Sequence, residues 1–194
     1  MALSPPFLAA EDQAPNEVQN AISIDVFTPF VVGLSYLVQA IVKNPDITLP
    51  DVDIPVCFQY QRVLSDHFVL LALAGLTCYS SPAGWGINAY PQVGIDWHPF
   101  HKGLKGFHVG LSGDFVYNGY WATEGSSNYY RTGLELTAGW QFLLPSNLII
   151  DLALGIISIN YSSAVDINGV TQSGFWLGDP MESARSGIYF GFRF

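Results

Sequence analysis

Residues 186–194 read Ser186-Gly187-Ile188-Tyr189-Phe190-Gly191-Phe192-Arg193-Phe194. Ile188, Phe190, Phe192 and Phe194 alternate with Gly187, Tyr189, Gly191 and Arg193, a period of two that lines one face of a strand with apolar side chains. In water a terminal strand frays and gains little from aromatic residues. Against hydrocarbon each ring on the outer face is rewarded, so the ending predicts a strand whose apolar face meets lipid. A sheet that spans a membrane must repeat that alternation in every strand, which the rest of the chain can be asked to show.

Composition agrees. The 194 residues are enough for one domain, and 49% are hydrophobic. No apolar run approaches the ~20 residues of a transmembrane helix. Charged residues make up only 12%, about half the ~25% usual in soluble domains, while glycine (19) and aromatics (14%) are abundant. A soluble sandwich would also alternate, but with more Lys and Glu on its outer face. The net charge of −9, with seven basic residues, argues against a nucleic-acid partner. Residues 1–18 carry Pro, Glu and Asp and no basic n-region, and read as a loose lead-in to a mature product exported with a cleaved signal peptide.

From Phe68 onward, period-two segments are separated alternately by short and long breaks. The short ones fall at 65–67, 101–106 and 145–147; the longer ones at 80–86, 121–128 and 165–183, the last holding an Asn168-Gly169 turn. Strands are expected at 20–27, 54–64, 68–79, 87–100, 107–120, 129–144, 148–162 and 184–194. Short turns at one end and long loops at the other predict an all-β, up-and-down antiparallel transmembrane β-barrel of eight strands over residues 19–194. In the sixth strand Leu134, Leu136, Ala138, Trp140 and Phe142 oppose Arg131, Gly133, Glu135, Thr137, Gly139 and Gln141. Polar faces rich in Gly and poor in Lys suit a narrow interior better than open solvent. Aromatic residues gather at both ends of the strands, as two interfacial belts would require: Trp97, Trp140, Phe142, Phe192 and Phe194 at one, Tyr79, Tyr120, Trp121, Tyr129, Tyr130 and Tyr161 at the other.

The apolar stretch Val31–Val42 fits a membrane-lying helix, an extension of the first strand, or an added strand pair that would raise the count to ten. Cys57 and Cys78 fall out of register on neighbouring strands, because the turn at Ser65-Asp66 pairs residues that sum to about 131–133 and these two sum to 135. Two buried free thiols are expected.

The terminal Phe with its alternating aromatics, together with eight strands and unequal turns, resembles the small outer-membrane β-barrels. That group includes the OmpA transmembrane domain, OmpX, OmpW and the opacity proteins. The only sharp motif is Ile188–Phe194, and the resemblance makes Ile188, Phe190, Phe192 and Phe194 the signal read by the barrel assembly machinery. It implies a monomer in the outer membrane of a diderm bacterium, with outer-membrane lipid around it.

An eight-stranded barrel has an interior just wide enough for side chains to fill. The inward polar set comprises Asp25, Asp96, His98, His108, Asp114, Arg131, Glu135, Asp151, Arg185 and Arg193, with Arg131 and Arg185 toward the loop end. Buried charges need partners, so a salt-bridged plug is expected. Acyl-enzyme chemistry at a barrel rim needs a hydroxyl with a nearby His. His108 and Ser112 share a face but lie about 13 Å apart along a strand, and no His falls in a long loop. No enzyme activity, metal or cofactor is therefore expected. Two functions remain: a structural or surface-interaction protein that offers its loops to an extracellular ligand, or a narrow channel or transporter for small or hydrophobic solutes, as the OmpW resemblance implies. Phe175, Trp176 and Leu177 in the last loop are candidate mouth contacts for either.

Overall fold

The computed structural model describes residues 19–26, 54–81, 83–165, 169, 171–178 and 185–194; the expectations for residues 1–18 and 31–42 lie outside them. Among the described residues, nine strands form one antiparallel sheet: β1 (Asn20–Asp25), β2 (Ile54–Ser65), β3 (Phe68–Ser81), β4 (Gly84–Trp97), β5 (Gly106–Ala122), β6 (Gly125–Leu143), β7 (Leu148–Val165), β8 (Thr171–Gly178) and β9 (Gly187–Arg193). Each of β1 to β7 pairs with the next, and β9 pairs with both β7 and β1, which closes the sheet into a ring. β8 and β9 lie along the same edge of β7, against Ser158–Val165 and Leu148–Ala153 respectively. They are the two halves of one interrupted strand position, so the ring has eight.

The closing contact belongs to the chain ends. Asn20 N donates to Phe194 O and Phe194 N to Asn20 O, both at 2.9 Å. Alternation then decides what faces in and out. Val93, Ile95, Leu111, Leu134, Leu152, Leu154, Phe190 and Phe192 are exposed on the outside, while Gln59, Gln92, Asp96, His108, Glu135 and Asp151 are buried inside. This arrangement inverts that of a water-soluble fold, which buries its apolar face.

At the short-turn end the connections are tied to one another. Lys102 Nζ lies 2.8 Å from Asp66 Oδ2, and that hydrogen bond holds the exposed Asp66 carboxyl below its ordinary range. Gly103 N donates to Asp66 O at 2.9 Å. The 98–105 connection also sends Leu104 inward, where it packs with Ala21, Val69 and Ile149 as an apolar floor. The rings of Trp97, Trp140, Phe142, Phe192 and Phe194 lie exposed outside this end.

The far end departs from the sequence expectation. The breaks anticipated at 80–86 and 121–128 are paired strand down to Ser81↔Gly84 and Ala122↔Gly125, so long loops are replaced by tight hairpins. Within the 165–183 break, Thr171–Gly178 pairs with β7, and Phe175, Trp176 and Leu177 sit on this strand and not in a loop. Directly opposed aromatic pairs hold these extensions together. Trp85 stacks on Trp121 at 4.5 Å, Tyr117 meets Tyr130 at 5.2 Å, and Tyr161 meets Phe175 at 4.9 Å. The second aromatic belt is split as a result: Tyr130 and Tyr161 point outward, whereas the alternation turns Tyr79, Tyr120 and Tyr129 inward. The cysteines are free as expected, with Cys57 opposite Gly75 and Cys78 opposite Ile54, but only Cys57 is buried. Cys78 is exposed because its even position on β3 falls on the outer face.

Two register shifts interrupt the ladder, one between Val63 and Ser65 on β2 and one on β7 that resets the facing pattern. Leu136 pairs with Ile157 and Thr137 with Gly155, which leaves Ile156 extra on β7. Ile156 and Ile157 both face outward, and beyond them Ser158 and Asn160 turn inward, where strict alternation from Asp151 would have sent Ile157 and Ile159. Deleting Ile156 removes the extra residue and restores strict alternation with Ser158 and Asn160 still inward, so folding stability is expected to change by no more than about 1 kcal/mol, read from urea unfolding of the refolded protein. A loss of more than about 3 kcal/mol would mean that the bend at the bulge, and not parity alone, holds this strand in place.

Candidate functional site

The interior charge network is built from residues far apart in sequence. Asp96 stands one residue before the end of β4, His108 near the start of β5, Asp151 near the start of β7, and Arg185 just before β9. Arg185 grips Asp96 with both terminal nitrogens, Nη2 to Oδ2 at 2.6 Å, and Nη1 also donates to Thr137 Oγ1 at 3.3 Å. Its Nη2 lies 3.6 Å from Asp151 Oδ2. His108 Nε2 is 2.9 Å from Asp151 Oδ1, and its Nδ1 faces Asp96 at 3.9 Å. Gln59 Nε2 donates to Asp151 Oδ2 at 2.9 Å. Two carboxylates thus share one guanidinium and one imidazole in a fully buried cluster. His98 stacks on His108, with ring centroids 5.3 Å apart, and its Nδ1 lies 3.2 Å from Lys105 O.

Glycines make the cluster possible. A side chain at Gly110 would run into Asp96, Thr137 and Arg185, and one at Gly139 would strike His108. These positions alternate with bulky outward residues, so the strands stay well packed outside while the interior keeps room for charged groups.

A second cluster lies on β4, β5 and β6. Arg131 Nη2 donates to Asp114 Oδ2 at 2.7 Å and stands 3.9 Å from Glu135 Oε1. Gln92 Nε2 donates to both Glu135 Oε2 at 2.7 Å and Ser112 Oγ at 2.6 Å. Between this level and the apolar floor, Gln141 Nε2 donates to Gln61 Oε1 at 2.7 Å. A further layer joins Cys57, Leu73, Ala153 and the fully buried Tyr189, with Tyr90 against them. Asp25 is buried in this region, its Oδ1 3.1 Å from where a Cβ on Gly187 would stand.

Of the residues anticipated from sequence, Asp96, His98, His108, Asp151 and Arg185 come together, as do Asp114, Arg131 and Glu135. Arg185 does not act at the loop end, because its guanidinium reaches Asp96 near the opposite end of β4. Arg193 stands apart. It donates to Asn147 Oδ1 at 2.7 Å in an exposed contact, since its place at the end of β9 puts it on the rim beside the Pro145–Asn147 turn. Ser112 and His108 are engaged with Gln92 and Asp151 respectively, and no contact joins them to each other. The bridging amides Gln59, Gln61, Gln92 and Gln141 were absent from the anticipated network. Their only sequence signal is their parity on polar strand faces. Ile188, Phe190 and Phe192 line the outside of β9, and Phe194 is exposed at its end.

Removing one partner of a buried ion pair strands the other, at about 3–5 kcal/mol. Arg185→Gln and Asp96→Asn are each expected to fall in that range. The double variant should lose less than their sum, because neither orphaned charge remains. Additive losses in urea unfolding would mean that the two groups are not coupled. No protein-family model matches this sequence, and neither a curated protein nor a solved structure does.

Proposed function

We propose that this chain is an eight-stranded β-barrel of a bacterial outer membrane, closed inside by a charge-paired plug, with a structural or surface-interaction role. One observation carries the reading: the exterior is apolar around the ring while the interior is polar and ionic. In water such a molecule would expose its greasy face and bury its charges, both unfavourable. In lipid the same surface needs no cover, and the closed ring leaves no backbone edge at β1 and β9. The tied turns with Trp97, Trp140 and Phe142 outside them suit one interface, and the Trp85–Trp121 and Tyr161–Phe175 pairs suit the other.

On this reading the terminal strand is what the barrel assembly machinery engages, and the monomer presents its extended hairpins to the outside. The filled, cross-bridged interior favours a plug over a pore. A narrow polar path is the second reading, supported by Gln59 Oε1, Gln61 Nε2, Gln92 Oε1 and Gln141 Oε1, which are buried without a protein hydrogen-bond partner.

Two measurements test these statements. Leu154→Arg, on the outer face, should cost about 2–4 kcal/mol of folding stability in liposomes if lipid surrounds it. A neutral or stabilising effect would sink the membrane reading. The refolded protein in a planar bilayer should be silent across voltages, and steady conductance would replace the plug with the polar path.

A further inference from the structure

Above the charged clusters the inner face of the extended hairpins changes chemistry. Asn88, Asn118, Tyr129, Ala164 and Gln172 are successive register partners across β4 to β8, so they form one continuous row. A cavity of about 260 Å³ opens there, lined by Asn118, Ser127, Asn128, Tyr129 and Gln172 with two small β7 side chains. Among the described residues, that lining carries no Lys, Arg, Asp or Glu. The inward amide of Asn118 is held by a neighbour on the same face, since Tyr79 Oη donates to Asn118 Oδ1 at 2.9 Å. That leaves this amide oriented with its nitrogen as donor. Asn128, which accepts from Tyr117 Oη at 3.1 Å, shares the outward parity of Tyr130. Directly opposite Asn118, Asn88 Oδ1 is a buried acceptor without a hydrogen-bond partner. Beside this row Tyr79 and Tyr120 lie parallel, 4° apart in plane and 6.2 Å between centroids. They flank Gly86, where any side chain would collide with the Tyr79 ring.

We infer that this mouth is a binding site for a neutral saccharide. A sugar ring presents adjacent hydroxyls that each donate and accept, together with an apolar C–H face. Oriented carboxamides match the first and a flat aromatic surface matches the second. Among the described residues, an anion would find no cation in the lining and a cation no carboxylate, while an apolar ligand would strand the amides unpaired. The volume lies below the ~300 Å³ lower bound of sites for drug-sized ligands, which points to one or two sugar units. The inference rests on the proposed surface role, since it assumes that the extended hairpins face outward, and it names the class of ligand that they take.

The test uses the full chain refolded in a zwitterionic detergent, because glycoside headgroups would compete. Retention is measured on an array of immobilised neutral, sialylated and sulfated glycans, with free neutral mono- and disaccharides at millimolar concentration as competitors. Retention on neutral glycans is expected, together with at least a tenfold loss of apparent affinity in Asn118→Ala and in Gln172→Ala. Gln172 is exposed on β8, so its variant keeps the test valid if Asn118→Ala fails to fold. Inhibition by free sugars would assign the site to a terminal sugar from any source. Retention on arrayed glycans that free sugars leave untouched would assign it to a surface-bound glycan chain. The site is overturned by no retention on neutral glycans, by preference for charged ones, or by variants that bind as the parent does. Liposome insertion of the same preparation separates the two readings. Protein that inserts but binds no sugar sinks this site alone, and protein that binds sugar without inserting sinks the membrane reading alone.

Discussion

Closure of the sheet between β1 and β9 is the constraint on which the rest depends. Backbone groups of Asn20 and Phe194 satisfy each other, and the ladder from Ala21↔Arg193 to Asp25↔Tyr189 leaves neither strand with a free edge. Once the ring is closed, inward side chains at the level of Asp96, His108 and Asp151 are cut off from bulk solvent and outward ones are committed to the exterior. The sign of each residue's contribution then follows from its parity. An apolar group outside is harmless only in lipid, and a charge inside is tolerable only with a partner.

The interior answers that demand in layers. Leu104, Ala21, Val69 and Ile149 seal the short-turn end with an apolar floor. Above them, Arg185 pairs with Asp96, His108 contacts Asp151, and Arg131 faces Asp114 and Glu135. Glutamines at 59 and 92 tie carboxylates across the ring to neighbouring strands. A buried ion pair is weak evidence of stability, because desolvation offsets much of its attraction. Its clearer effect here is on specificity. Asp96 and Arg185 come from β4 and from the segment before β9, 89 residues apart, so only the correct ring brings them together. A slip of one residue would send those charges to the apolar exterior.

The far end follows different rules. There the strands run on past the charged layers, and neutral amides replace ions on the inner face. Opposed aromatic pairs replace the enclosing ring as the stabilising element. Cross-strand pairs of this kind contribute about 0.2–1 kcal/mol each, enough to keep a hairpin paired once its base is fixed by the ring. The result, among the described residues, is an inner face of amides and aromatic rings over ionic layers, and the two levels are suited to different tasks.

The period of two and the aromatic terminus by themselves determined the all-β class, the eight strand positions and the parity of Asp96, His108, Glu135 and Asp151. These are local properties, readable because each strand repeats one rule. The register of Cys57 was legible only to within one residue, since the turn at Asp66-His67 alone would place Leu76 opposite it and a register shift between Val63 and Ser65 moves the pairing to Gly75. What tertiary structure decided depends on contacts between strands. The bulge at Ile156 breaks the period where two apolar residues adjoin, and only pairing with β6 shows which of them is extra. Thr171-Gln172-Ser173-Gly174 has no apolar alternation, so β8 is a strand only because β7 offers it an edge. The tight hairpins depend on aromatic partners brought opposite one another by register. Arg193 carries the inward parity of Tyr189 yet ends on the rim, because parity names a face and says nothing of depth. Arg185 has its depth and partners set across the ring, by a carboxylate that no spacing along the chain could reveal.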